Sequence, residues 1–248
     1  MSQPKRVALQ PGYVLHPRPY RDTSLLVEAL TPEHGRVGLV AKGVRAPRSR
    51  MRGLLQPFRP LLLSWSGSGD LATLVGAEAN GPMMGLAGAG LLSGFYVNEL
   101  LVRLLLRHDP HPALYQAYEA VLTALQAAGQ EEPALRIFEK RLLQELGYGL
   151  LLDREARSGQ PIDAERRYRY RLDLGPLPED EGDIADPAIH GSSLLALARE
   201  VLPADPERRQ EAKRLMRAAI ARHLGGRPLK SRDLFRVHSR DEDHGTGG

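Results

Sequence analysis

At 248 residues the chain is long enough for one large domain or two modest ones, and 42% hydrophobic residues exclude global disorder. The absence of cysteine removes disulfides, thiolate metal sites and cysteine nucleophiles in one step. The net charge of +4 is unevenly spread: residues 1–80 hold 11 Lys/Arg against 5 Asp/Glu, residues 151–191 hold 6 against 10, and residues 208–240 hold 11 against 2. Two basic ends around an acidic segment point to an anionic partner.

The opening "MSQPKRVALQPGYVLHPRPY" lacks the apolar core of a signal peptide. No apolar run reaches the roughly 18–20 residues needed to span a bilayer, so a soluble, cytoplasmic protein is expected. The first 80 residues then read as strands. "GYVLHP" is a short run ending at Pro17, "TSLLVEAL" follows, "TPEHGR" is a turn, and "RVGLVAKG" resumes with Val37, Leu39 and Ala41 alternating. "RPLLLSWSG" and "DLATLVGAEA" flank "SGSGD", a glycine-containing hairpin loop. Five short strands predict a small closed barrel of the OB type; an SH3-like barrel has a similar strand count.

Between the third and fourth strands lies "LVAKGVRAPRSRMRG", residues 39–53, with Lys42, Arg45, Arg48, Arg50 and Arg52 and no acid. Like charges crowded together do not help a fold, whereas OB barrels hold single nucleic-acid strands on a loop-rimmed face. Arg18, Arg21 and Arg36 lie in the same half and extend the candidate patch. Tyr13, Tyr20, Phe58 and Trp65 are candidates to stack on bases or to fill the core. The blander alternative is a solvated surface loop.

"NGPMMGLAGAG", residues 80–90, lacks the Gly-Lys-Ser/Thr ending of a phosphate-binding loop and reads as a linker or helix entry. From Leu91 the period is helical. "LLSGFYVNELLVRLLLRHD" is strongly apolar, "PALYQAYEAVLTALQAAG" opens at Pro112, and "EPALRIFEKRLLQELGYG" opens at Pro133 with Leu135, Phe138, Leu142 and Leu146 on one face. The stretch 152–191 has no helical period, although "RYRYRLDL" alternates as a strand would. "DPERRQEAKRLMRAAIARHLGG" closes the pattern with Asp205 as N-cap and Pro206 at the first helical position. Arg209, Lys213 and Arg217 form a stripe on it, and Glu211 is the single acid between Arg208 and Arg222. The fold class is thus α+β: an OB barrel over 1–80, then a helical domain over 81–240 with an irregular insertion at about 152–191 and a disordered tail at 241–248.

No catalytic constellation emerges. His108 and His111 straddle a proline at a helix end, Ser192 and Ser193 read as a helix cap, and no Gly-x-Ser-x-Gly elbow is present. The chain is expected not to be an enzyme.

"YVLHPRPYRDTSLLVEALTPEHGRVGLVAKGVR", "LLQPFRPLLLSWSGSGDLATLVGAEA", "GFYVNELLVRLL", "EPALRIFEKRLLQELGYG" and "HLGGRPLKSRDLFR" together resemble the RecO family of bacterial recombination mediators, in order and over most of the chain. The resemblance implies an N-terminal OB-fold, a helical C-terminal domain and no enzymatic activity. It implies binding of single- and double-stranded DNA, annealing of complementary strands, contact with the acidic tail of the single-stranded-DNA-binding protein SSB, and work with RecR in loading RecA. Lys230 and Arg232, in "HLGGRPLKSRDLFR", join the candidate DNA-binding set. For the SSB tail, acidic with an apolar end, the candidate rims are Arg136 with Lys140 and Arg209 with Lys213 and Arg217. Leu135, Leu215 and Met216 would floor a groove between them. Many members carry a four-cysteine zinc site in the insertion. Here Glu155 stands at the first such position, so neither zinc nor another cofactor is expected. A general RNA- or DNA-binding regulator, or an enzyme with an unrecognised site, are the alternatives.

Overall fold

The computed structural model describes residues 6–67, 69–226 and 228–231. They form two compact units, one containing residues up to Ala128 and from Pro228 onward, the other running from Gly129 to Arg227. The compact units therefore divide at 128/129, whereas the change from strands to helices lies near residue 80.

In the first unit, β1 (Arg6–Tyr20), β2 (Ser24–Thr31), β3 (Gly35–Ala41), β4 (Leu61–Ser66) and β5 (Ala72–Ala79) close a barrel in the order β1-β2-β3-β5-β4. All neighbours are antiparallel except β3 and β5, whose parallel contact completes the closure. β1 serves two partners. Its start pairs with β4, from Arg6↔Ser66 to Gly12↔Leu61, and its end pairs with β2, from Tyr13↔Leu30 to Tyr20↔Ser24. This strand passes the expected stop at Pro17. Beyond Val14, which bridges Pro57, it has a neighbour on β2's side only, so Pro17 and Pro19, which lack a donor, are tolerated.

Alternation does the rest. Val27, Ala29, Val37, Leu39, Leu61, Leu63, Trp65 and Leu74 point inward and are almost completely buried. Gly35 sits at φ 62°, and a Cβ there would lie 2.0 Å from the Asp109 carbonyl oxygen, so the β2–β3 turn requires glycine.

α1 (Gly88–Leu104) and α2 (Pro112–Ala124) pack on this barrel. The glycines of residues 80–90 serve helix entry and close packing: a Cβ on Gly90 would meet the Leu125 carbonyl oxygen at 2.4 Å. Asn98 of α1 donates to the Leu15 carbonyl at 2.9 Å and accepts from the Tyr118 hydroxyl at 2.7 Å. Tyr13 lies against Tyr115 and Tyr118 with ring centroids 5.8 and 5.2 Å away. Burial, then Glu119 beside them, pushes the Tyr13 and Tyr115 hydroxyls well above the ordinary tyrosine value.

The second unit contains α3 (Glu131–Glu145), a three-stranded sheet, α4 (Gly191–Arg199) and α5 (Pro206–His223). The sheet order is β7 (Gly175–Pro178), β6 (Arg167–Arg171), β8 (Ala188–His190). "RYRYR" is indeed a strand: Tyr168 and Tyr170 are buried, while Arg169 lies on the other face and donates to the Ile184 and Asp186 carbonyls, each at 3.2 Å. Asp205 caps α5 through its carboxylate, which accepts the Glu207 N–H at 2.9 Å.

Candidate nucleic-acid interface

The β2–β3 hairpin is the frame. Its register runs from Leu25↔Ala41 at one end to Thr31↔Gly35 at the other. The turn joining β1 to β2 and the loop leaving β3 therefore emerge at the same end. The Arg45 N–H donates to the Thr23 carbonyl at 2.8 Å, and the Arg45 guanidinium reaches the Arg21 carbonyl at 3.4 Å. Two segments separated in sequence by the β2–β3 hairpin thus form one rim.

Lys42, Arg45, Arg48, Arg50 and Arg52 are exposed on the loop, Arg18 is exposed near the end of β1, and Arg21 is exposed on the adjoining turn. None of the seven makes a salt bridge among the described residues. Arg21 is held at φ 51°, uncommon for a non-glycine residue, and its guanidinium lies 5.1 Å from the centre of the Tyr20 ring.

The loop is built, not merely solvated. Successive turns bond Ala46 to Gly43, Ser49 to Ala46, Arg52 to Ser49 and Leu54 to Met51. Val44 and Leu55 are buried in the barrel core, and Met51 packs against it partly exposed. The apolar residues between the arginines hold the backbone down, which leaves the arginines pointing to solvent. A cleft of about 400 Å³ opens beneath them, with Leu25, Val44, Met51 and Leu55 as its apolar wall and Arg45 and Arg52 at its edge. Charge counting misses this wall. The available signal is Met51 between two arginines and Val44 before Arg45, apolar residues that a freely solvated loop has no need to carry.

Arg36 is in a different situation. Its guanidinium donates to Glu28 at 2.7 Å and, through Nε, to the Leu105 carbonyl at 3.1 Å. Arg107 pairs with the same Glu28 and donates to the Asp70 carbonyl at 3.1 Å. Hydrogen bonding to Glu28 raises the Arg107 pKa further still. This network fastens the segment after α1 to the outer face of the β2–β3 hairpin, so Arg36 is separate from the cationic rim. Sequence gives no sign of it, because Glu28 and Arg107 lie 79 residues apart.

Of the aromatic candidates, Tyr13, Phe58 and Trp65 are all buried, and Tyr20 alone is partly exposed. Lys230 is exposed, and its N–H, like that of Ser231, donates to the Glu99 carboxylate, at 2.9 and 2.8 Å. Burial pushes the Glu99 carboxyl up, but these bonds and Arg103 outweigh it and hold the group below the usual carboxylate range. Arg232 and the tail 241–248 lie outside the described residues.

The residues assembled for an acidic peptide do not form a groove. Leu135, Leu215 and Met216 are buried. Arg136 is 4% exposed and pairs with Glu139 at 2.7 Å, and Lys140 is turned to the Ala198 carbonyl and Glu200. Lys213 is half-buried 3.6 Å from Glu132, Arg209 is half-buried, and Arg217 is exposed. Of this stripe on α5, Arg217 is the cation that stands exposed.

His190, Glu207 and Glu211 are the one group among the described residues that brings metal-type ligand atoms together, within 4.8 Å. Glu211 already accepts the His190 N–H at 3.1 Å, the His190 Nδ1 at 2.6 Å and the Ser193 hydroxyl at 2.7 Å. This buried carboxylate clamps the start of α4, so Ser193 does not cap the helix as expected. It bonds across to α5. Burial pushes Glu211 up, and the bonds from Ser193 and His190 outweigh it and hold its pKa low. In the insertion, Glu155 accepts the Ser158 hydroxyl, its N–H donates to the Gln160 carbonyl at 2.7 Å, and Arg166 lies 3.7 Å away. A turn closed by hydrogen bonds stands at this position. No helix among the described residues is long and apolar enough to cross a membrane.

Two family models match in tandem: "Recombination protein O N terminal" over residues 6–83 and "Recombination protein O C terminal" over residues 88–233. The DNA repair protein RecO of Nitrosococcus oceani is 56% identical over 93% of this chain and 93% of its own length. That of Methylococcus capsulatus is 53% identical over 96% and 97%, and that of Alkalilimnicola ehrlichii 50% over 95% and 93%.

Proposed function

The chain belongs to the RecO family of DNA repair proteins, and on that premise we propose that it binds DNA through the cationic end of its barrel and anneals complementary strands. The observation that carries this reading is the rim itself: seven exposed cations, none in a salt bridge among the described residues, from two segments around one end of an OB barrel. Repair gaps arise at arbitrary sequence. Phosphate neutralisation with counterion release serves any sequence equally and gives affinity without base readout. Annealing follows from the same surface, because two strands repel through their phosphates and a cationic platform lowers that repulsion while bases pair.

The wider role is that of a non-enzymatic mediator in the cytoplasm, acting at the nucleoid. It meets the acidic tail of SSB, and with RecR helps to load RecA onto SSB-coated gaps. On α5 the exposed Arg217, with the half-buried Arg209 and Lys213 on the same stripe, is the surface best suited to an acidic tail. The rim and the α5 face are chemically alike, so only selective variants separate them.

The test is annealing of complementary oligonucleotides with and without SSB. Acceleration of annealing over the uncatalysed rate, retained when the strands carry SSB, is expected. No acceleration on naked strands refutes the annealing role. Acceleration on naked strands that SSB abolishes refutes the mediator role.

A further inference from the structure

We propose that the cleft beneath the β3–β4 loop is a subsite for one unstacked base of single-stranded DNA. The base would be held against Met51 and Leu25 while Arg45 and Arg52 hold the phosphates on either side. The inference deepens the DNA-binding reading above and rests on it.

The size fits: about 400 Å³ lies at the low end of what holds a small organic ligand. Its chemistry fits a base better than a backbone. A phosphate-binding surface needs cations and donors, and the exposed arginines supply these without any cleft. The wall instead offers Leu25 and Met51, partly exposed, over the buried Val44 and Leu55. Apolar surface gains from covering the face of a base, and a thioether makes favourable contacts with an aromatic ring.

The rest of the barrel strengthens the assignment. OB barrels commonly stack bases on exposed rings. Here Tyr13, Phe58 and Trp65 are buried, so they offer bases no face. Tyr20 is already next to the Arg21 guanidinium. Among the described residues of the rim, the apolar wall of the cleft is the surface free to take a base.

Charge complementarity selects the occupant. Arg45 and Arg52 are exposed at the edge of the cleft, and neither is in a salt bridge among the described residues. A base in the cleft would put its flanking phosphates beside them. A duplex cannot deliver a base there without unpairing and unstacking it, at a cost in free energy. The subsite therefore favours single strands, and it would hold a strand with its neighbouring bases presented outward for pairing.

The test compares two oligomers of equal length and phosphate count, oligo-dT and the same chain with abasic sites throughout, by fluorescence anisotropy over a range of salt. Wild type should bind oligo-dT about fivefold or more tightly than the abasic chain, in line with the stacking contribution of one base. Met51→Gln keeps the length of the side chain but removes its apolar face. It should bring the two oligomers together, and with Val44 and Leu55 still anchoring the loop the salt slope on the abasic chain should match wild type, which reports that the rim is intact. Met51→Leu should retain the preference. Equal binding of the two oligomers by wild type, or a preference that survives Met51→Gln, overturns the subsite and leaves the cationic rim standing. Failure of wild type to bind either oligomer overturns the DNA-binding reading, and the subsite falls with it.

Discussion

Replacing Lys42, Arg45 and Arg48 together by Ala removes three of the seven exposed cations of the rim. Each phosphate contact to a single strand contributes about 0.7 to the slope of log K against log salt. If each cation meets one phosphate, wild type has a slope near −5 and the triple variant near −2.8, by the same rule of about 0.7 per contact. Between 50 and 200 mM salt this predicts a loss of affinity of roughly 1000-fold for wild type and about 50-fold for the variant. The fold should survive, because these side chains are exposed and the loop is anchored by Val44, Met51 and Leu55. Anisotropy of a labelled oligonucleotide across the salt range measures both slopes, and oligomers of different sequence should respond alike. A triple variant with the wild-type slope would falsify the assignment of this rim to DNA.

Arg36→Ala is the opposite case: the salt slope should stay as in wild type, while stability falls by about 1–3 kcal/mol in urea titration, because a half-buried pair with Glu28 and a bond to the Leu105 carbonyl are lost. Glu211→Gln should also be destabilising at pH 7, and its deficit should depend on pH. The Glu211 pKa is lowered in the folded protein, so the stability it contributes is present above the unfolded value of about 4.3 and is lost as pH falls through the folded value. Melting curves should show wild type and Glu211→Gln converging below that pH; a constant gap down to acid would mean that the charge is not what matters. Metal analysis of tag-free protein should find zinc well below one per chain and a melting temperature indifferent to chelator, since Glu155 and Ser158 close the turn by hydrogen bonding. Combined Arg209→Ala, Lys213→Ala and Arg217→Ala should weaken an SSB-tail peptide by about tenfold or more with oligonucleotide binding preserved; unchanged peptide affinity would place the tail elsewhere.

How much of this the sequence could tell depends on the range of the interactions. The barrel was legible because alternation is local: Val37, Leu39 and Ala41 announce a strand without reference to any other segment. The cap at Asp205 and the strand at Tyr168 and Tyr170 were legible for the same reason. Charge is local only in its sign, and its use is settled by what folds back against it. Arg36 and Arg45 are equivalent as letters. Glu28 and Leu105 engage the first, while for the second no salt bridge is found among the described residues and its backbone is tied to the β1–β2 turn.

Range also limits what the sequence tells of Leu135, Leu215 and Met216, expected to floor a groove. A helical apolar face reads the same whether it packs inward or lines a surface, and here it packs inward. Arg136 shows the limit most clearly, because its place one turn from Lys140 looks like a rim, yet three residues on is Glu139, fully buried. An arginine drawn in by a buried carboxylate is lost to any external partner, since releasing it would break an ion pair in a poorly solvated site. The cations that remain available for function are therefore those that the fold does not draw into an ion pair, and among the described residues no salt bridge engages Lys42, Arg45, Arg48, Arg50 or Arg52 of the β3–β4 loop.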